Sequence, residues 1–372
     1  MKVLLIYLGR KGGGNIYSLE MAKALSKKCD LVGMISRQSQ NLEAWRKSGI
    51  SLIEIDTYSN ALSAFLSTLN LGKYFSLWKQ IKNVNPDVIY YPMIHLWSPI
   101  INLITPSVPK VTTIHDPIMH KGEKNIILEL IQKITMKQST IIVILSKVFF
   151  PVIEKYGIPK ERIKVIPHGE FSYYLDKRNK NVLRENNTIL FFGRIREYKG
   201  LEVLIEAFPL IKKKIPEAKL LIVGEGDITP YKFKLSELQD IEVVNNWISD
   251  EEVAKFFLRS SVIVLPYTDA TQSGIIPIAY IFKVPVISTK VGGIPEQIED
   301  KRTGILVKPG DPVELADACI ELLTNPTLTS SLAEMGYQKA VQEWNWEKVS
   351  DMVIENLKKA MYPLRKAKIN HE

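Results

Sequence analysis

Two cations stand five residues apart where a strand pattern gives way to a helix pattern: Arg194 follows Phe191-Phe192-Gly193, and Lys199-Gly200 opens the next helical run. At the C-terminal edge of a parallel sheet such a pair can neutralise a phosphorylated ligand. Ordinary solvated loop charges are the alternative, and the strand-end position weighs against it. A second stretch suited to an anion runs Pro266-Tyr267-Thr268-Asp269-Ala270-Thr271-Gln272-Ser273-Gly274-Ile275-Ile276-Pro277. Ser273 is placed to cap a helix starting at Gly274, whose first amides, on Gly274, Ile275 and Ile276, have no intrahelical partner. A capped helix with no ligand would read the same way. The third stretch is Gly9-Arg10-Lys11-Gly12-Gly13-Gly14, between a strand pattern and a helix. Its glycines permit close backbone approach to a ligand, although a plain turn would look alike. The spacing is not G-x-G-x-x-G and no acidic strand end follows about 20 residues on, which disfavours a nicotinamide dinucleotide.

These residues need strand ends to hold them. Short β-branched runs at 3–8, 31–35, 88–91, 111–114, 141–145 and 163–166 alternate with helical patterns at 17–28, 61–84 and 125–137. The rhythm stops over 171–187, where Asp, Lys, Arg and Asn dominate, and this is the expected linker. It restarts with strand patterns at 188–192, 219–223, 241–244, 262–265, 284–288 and 304–307, and helices at 200–214, 250–259, 274–282, 312–323, 328–344 and 346–360. The alternation predicts an α/β chain of two doubly wound, Rossmann-like domains, 1–170 and 188–345, facing each other across a cleft. Residues 346–372 are expected as a terminal helix able to pack back on the first domain.

Length supports the division, since 372 residues exceed one typical core. The formal net charge is +9, and residues 1–170 carry 22 basic against 12 acidic residues, so the surplus belongs to the first half. It indicates an anionic partner or mere solubility. Nucleic acid is disfavoured because the basic residues are dispersed and no reader motif accompanies them. No apolar run reaches the roughly 20 residues of a bilayer span. The start imitates a signal peptide, but the apolar stretch is too short and reads as a buried strand. Cys29 and Cys319 support neither a disulfide framework nor a thiolate metal site, and a reducing cytoplasm is the expected setting.

With these residues in order, the chain resembles the group-1 retaining glycosyltransferases, family 4, of the GT-B fold. The similar stretches are FFGRIREYKGLEVLIEAF (191–208), LLIVGEGD (220–227), VIVLPYTDATQSG, VPVISTKVGGIPEQI (284–298) and GILVKPGDPVELADAC, with TTIHD (112–116) and KVIPHGEF (164–171) in the first half. The resemblance implies a nucleoside-diphosphate sugar as donor, with no cofactor and no metal, and the basic first half motivates a lipid-linked or cell-surface polysaccharide acceptor. It implies that Arg194 and Lys199 hold the diphosphate with help from Gly12, Gly13, Gly14, Gly193 and the 274–276 amides. His115 is then expected beside the transferred sugar, where a lone histidine would otherwise be a structural hydrogen-bonder. Trp247, Ile248, Glu225 and Gly226 fall where the family places its base pocket, and packing explains Trp247 equally well.

One departure stands out. Members usually carry two glutamates around the phosphate-binding turn, and here those positions are Thr271 and Ala279, with Gln272 and Glu296 as candidate substitutes. A catalytically reduced nucleotide-sugar-binding subunit of a glycan-assembly complex is therefore the competing expectation. A phosphorylase or epimerase of the same fold fits the motif set less well. The basic first half and the apolar, lysine-bearing stretch 61–82 suggest a cytoplasmic protein peripheral on an anionic membrane surface, with a helix packed on the first sheet as the alternative.

Overall fold

A computed structural model describes residues 1–120, 122, 125–178 and 181–369, with side chains to Tyr362. Residues 179–180 of the expected linker and 370–372 of the expected terminal helix lie outside the described residues. The chain divides into two compact units, Met1–Pro117 with Asn125–Gly169 and Trp346–Glu372, and Ile118–Lys124 with Glu170–Asn345.

The first unit holds a seven-stranded parallel sheet: β1 (Lys2–Tyr7), β2 (Asp30–Ser36), β3 (Ser51–Ile55), β4 (Val88–Tyr91), β5 (Lys110–Ile114), β6 (Ile141–Ile144) and β7 (Ile163–Val165). Their order is β3-β2-β1-β4-β5-β6-β7. The helices are α1 (Gly13–Ser26), α2 (Leu42–Arg46), α3 (Ala61–Leu69), α4 (Leu71–Val84), α5 (Ser98–Ile104), α6 (Ile126–Gln138) and α7 (Phe150–Lys155). From β1 the chain steps outward to β3, then returns across β4 to β7. Right-handed crossovers therefore put α1 and α2 on one face and α3 to α7 on the other. The central strands β4, β5 and β6 are buried throughout, as strands covered on both faces must be.

The expected single helix over 61–84 is two, because Asn70 leaves helical backbone, closes α3 and accepts from the Lys73 amide to cap α4. Strand β3 was not expected, since Glu54 interrupts its apolar run.

The second unit holds β8 (Thr188–Phe192), α8 (Leu201–Lys214), β9 (Lys219–Val223), α9 (Lys232–Ser236), β10 (Ile241–Val244), α10 (Asp250–Arg259), β11 (Val262–Leu265), α11 (Ile275–Ile281), β12 (Val286–Thr289), α12 (Ile294–Gln297), β13 (Ile305–Val307), α13 (Pro312–Thr324) and α14 (Pro326–Glu343). Its six parallel strands run β10-β9-β8-β11-β12-β13. Ile189, Phe191, Leu204, Phe208, Ile222, Val264 and Leu315 form its core. Residues 171–187, expected as a linker, contain a 3-10 turn over Ser172–Lys177 that packs on α10 and buries Tyr174.

The last helix, α15 (Trp346–Ile369), packs on α1, and Lys28 pairs with Asp351 at 2.6 Å. Its buried Val349, Val353, Leu357 and Ala360 recur at helical spacing and form the stripe that turns inward.

Candidate functional site

The expected residues gather in two places, one in each unit. In the second unit the C-terminal end of β8 carries Gly193 at φ +123°, where a Cβ would meet no atom within 4 Å. The chain then reaches Arg194, whose Nη2 donates to the Tyr198 hydroxyl at 3.3 Å. Tyr198 is buried, so its ring is a fixed support. The Lys199 ammonium stands 5.0 Å from that ring's centroid and 4.1 Å from the Tyr267 ring, where an ammonium gains from the π-faces. Gly200 next adopts φ +69°, and a Cβ there would lie 1.8 Å from the Pro266 carbonyl oxygen. Glycine is thus required for Lys199 to sit beside the 266–274 turn.

That turn is held from below. Gln297 of α12 accepts from the Ser273 amide at 2.7 Å and donates to the Ser273 carbonyl at 3.0 Å, and the Tyr267 and Ser273 hydroxyls lie 3.0 Å apart. Helix α11 begins at Ile275 with Gly274 as its N-cap, one residue later than expected, although Ser273 Oγ still accepts from the Ile275 amide at 3.2 Å. Ile276 is buried, while Gly274 and Ile275 are half-exposed. Thr271 and Ala279, at the positions of the missing glutamates, are both buried. Gln272 is half-buried, and its Oε1 has no hydrogen-bond partner among the described residues. Glu296 is exposed on α12.

The expected base pocket lies on two linked loops. Asn245 accepts from the Gly226 amide and donates to the Gly226 carbonyl, each at 3.1 Å, which ties the loop after β10 to that after β9. Glu225 and Trp247 are exposed there, while Ile248 is buried. A cavity of about 540 Å³ in this unit is lined by none of these residues. It is lined by the C-terminal ends of α10 and α11, among them Leu258, Ile281 and Phe282.

In the first unit the glycine-rich loop feeds α1, with Gly12 at φ +87° as its N-cap and Gly13 exposed to open space. Tyr17 of α1 meets the His115 ring edge-on at 4.6 Å, and His168 at 5.2 Å. Trp346 closes the cluster against Tyr17 at 5.3 Å. His115 Nε2 lies 2.9 Å from the Pro92 carbonyl oxygen, which can only accept. The proton is therefore on Nε2, and Nδ1 presents a lone pair. Burial holds the His115 imidazole below its ordinary pKa despite the neighbouring Asp116 charge, so it is neutral at pH 7. Burial, with the His115 ring adding, pushes His168 down to about 4.

Sequence reading missed the side chains that hold these groups: Tyr17 and His168 around His115, and Tyr198, Tyr267, Gln297 and His120 in the second unit. His120 stacks on Tyr198 with ring centroids 4.3 Å apart at 11°. Of these, His168, Tyr198, Tyr267 and Gln297 lay in stretches singled out by resemblance but were given no role there, while Tyr17 and His120 lay outside them.

The model describing Glycosyltransferase Family 4 matches residues 11–169, and that describing Glycosyl transferases group 1 matches 186–325. The capsular polysaccharide biosynthesis glycosyltransferase CapM of Staphylococcus aureus is 27% identical over 263 residues, 64% of this chain and 68% of that protein. The D-inositol 3-phosphate glycosyltransferase of Paenarthrobacter aurescens (strain TC1) is 26% identical over 224 residues, 56% of this chain and 55% of its own. The chain thus spans about half the length of the curated relatives it first matches. A solved structure of the Anabaena protein HepE in complex with UDP-glucose superposes with a TM-score of 0.76 at 17% identity, over 96% of this chain and 100% of that one. That likeness shows the fold, two Rossmann-like units of the GT-B class. With one family model accounting for most of the first sheet unit and the other for most of the second, the chain belongs to the group 1, family 4 glycosyltransferases.

Proposed function

We propose that the protein transfers a sugar from a nucleoside-diphosphate donor to a lipid-linked or cell-surface polysaccharide acceptor on the cytoplasmic side of a membrane. The observation that carries this reading is the pairing of Arg194 and Lys199 about Tyr198 at the β8 strand end. When the bond between C1 and the diphosphate oxygen breaks, negative charge grows on that oxygen. Cations already fixed in place stabilise the charge more in the transition state than in the ground state. The acceptor hydroxyl oxygen forms the new bond to C1, and its proton passes to the departing diphosphate oxygen. Attack from the same face retains the anomeric configuration. His115, neutral with its Nδ1 lone pair available, accepts a hydrogen bond from a donor-sugar hydroxyl. Gly12 to Gly14 and the 274–276 amides assist the phosphates, and Glu225, Gly226, Trp247 and Ile248 line the base pocket. This chemistry calls on no metal or cofactor.

The second reading, a nucleotide-sugar-binding subunit without turnover, is favoured by Thr271 and Ala279, which are buried and carry no carboxylate. One experiment separates the two. A panel of UDP, GDP, ADP and dTDP sugars is scored for thermal stabilisation and for nucleoside diphosphate release, with and without lipid-linked acceptors. Release above the uncatalysed rate supports transfer. Stabilisation with no release under any condition supports the subunit, and neither effect with any donor overturns both.

A further inference from the structure

Helix α3 buries none of its nine residues, although its sequence is Ala-Leu-Ser-Ala-Phe-Leu-Ser-Thr-Leu. Leu62, Phe65, Leu66 and Leu69 recur at i, i+3, i+4 and i+7, the spacing that normally turns an apolar stripe into a core. Here each is about 60% exposed or more, at 69%, 62%, 59% and 62%. Helix α4 behaves differently and explains the contrast. It buries Tyr74, Leu77 and Ile81 against the sheet, yet leaves Leu71, Phe75 and Trp78 exposed on its other side. The expectation that this region is a helix packed on the sheet therefore holds for one face of α4 and fails for α3.

A second stripe lies on α6, where Ile126, Ile127, Leu130 and Ile134 are exposed and only Thr135 and Met136 are buried. Both stripes belong to the same face of the sheet, since α3 to α7 all follow crossovers of one sense. Helix α5 packs against both α4 and α6 and carries exposed Leu103 between them. Single exposed apolar residues are ordinary on any surface, but two helical stripes on one face are not.

Charge decides what covers this face. Between Asp56 and Asp87 there is no acidic residue, while Lys73, Lys79 and Lys82 occur there. The Lys82 ammonium stands 5.1 Å from the exposed Trp78 ring, and Trp78 lies 5.7 Å from Phe75. Apolar stripes bordered by an aromatic pair and lysines match the boundary between acyl chains and anionic headgroups. A second copy of the same face would bring like charges together and is disfavoured. Among the described residues no helix is long and apolar enough to cross a membrane.

We propose that α3, the outer side of α4 and the start of α6 form a docking face for an anionic lipid bilayer, which they enter from one side without spanning it. This deepens the membrane part of the proposed function, naming the surface that brings the protein to a lipid-linked acceptor. It does not depend on transfer itself, because the binding below is measured with neither donor nor acceptor.

The full-length protein is sedimented with phosphatidylcholine vesicles that contain or lack phosphatidylglycerol, and its light-scattering mass is taken without vesicles. Wild type is expected to partition at least tenfold more strongly onto the anionic vesicles. The triple variant Leu62→Ser, Phe65→Ser, Leu66→Ser is expected to lose that binding tenfold or more, and Lys79→Gln with Lys82→Gln to lose several-fold at low salt. Donor hydrolysis and melting temperature should stay near wild type in both, since none of these side chains is buried. Wild type remaining in the supernatant with both vesicle types overturns the proposal. So does vesicle binding that survives the triple substitution, or a stable dimer that the substitution converts to monomer while vesicle binding is absent.

Discussion

His120 lies flat against Tyr198, with ring centroids 4.3 Å apart and planes 11° from parallel, and its Nδ1 is 3.3 Å from an Asp269 carboxylate oxygen. Tyr198 in turn meets Arg194 through its hydroxyl and Lys199 through its face. His120 thus backs the ring on which both candidate diphosphate cations rest. Aromatic pairs of this kind contribute about 0.5–1.5 kcal/mol beyond their buried area, which corresponds to roughly 2- to 12-fold in an equilibrium. His120→Ala should weaken nucleoside diphosphate binding by about that factor, read by calorimetric titration with UDP and GDP. His120→Phe keeps the stacked ring and should restore most of the affinity. Equal loss in both variants would mean that the Asp269 contact, not the stack, does the positioning.

Arg194→Ala and Lys199→Ala should each lower turnover by about 10²–10³-fold, the cost of removing one fixed donor from a charge that develops in the transition state. Both side chains sit at the surface end of a strand-to-helix connection, so the melting temperature should change little. Turnover within about threefold of wild type in either variant would sink the diphosphate assignment.

How much of this was legible beforehand follows from which interactions are local. The strands of both sheets were readable because a parallel strand covered on two faces is a short apolar run, as in Thr188–Phe192. Edge strand β3 was not, because Glu54, paired with Arg46 of α2 at 2.8 Å, breaks the apolar run of a half-buried strand. The break between α3 and α4 was hidden because Asn70 is unremarkable inside an apolar pattern, and only its extended backbone reveals it as a cap. Arg194 and Lys199 were readable as charges at a strand end. Their supports were not: Asp269 is 149 residues from His120, and Gln297 is 24 from Ser273. Spacing in sequence says nothing about contacts made by folding.

Gln297 offers a test of how the 266–274 turn is held. Its side chain is buried and satisfies both the amide and the carbonyl of Ser273. Gln297→Ala would leave two buried backbone groups without partners, at about 1–3 kcal/mol each. A loss of roughly 2–4 kcal/mol is expected, allowing for water entering the space. Gln297→Glu keeps the acceptor for the Ser273 amide but loses the donor to its carbonyl, and should fall between wild type and Ala. Urea unfolding read from the second unit's transition tests the order. Gln297→Glu as damaging as Gln297→Ala would mean that the cost of burying its carboxylate against the Ser273 carbonyl cancels what the amide contact contributes.

The first unit should lose stability as pH falls from 7 to 5. Burial chiefly lowers His168 to about 4 and His95 to about 3, with the His115 ring and Arg10 respectively adding to it, and burial lowers His115 as well. All three are neutral when folded. In the unfolded chain their pKa returns to about 6.5, so above that pH neither state binds the protons and the stabilisation is fully present. Below it the unfolded chain gains protons that the folded unit refuses, until the depressed values are reached. Each such histidine tilts stability by up to about 1.4 kcal/mol per pH unit in that window. Between pH 6.5 and 5 the loss should amount to a few kcal/mol, before most carboxylates titrate. His168→Asn removes one of the three groups and should flatten the slope of unfolding free energy against pH by about a third. A slope unchanged by that substitution, or a first-unit stability that does not move between pH 7 and 5, would show that these imidazoles are not held neutral by the fold.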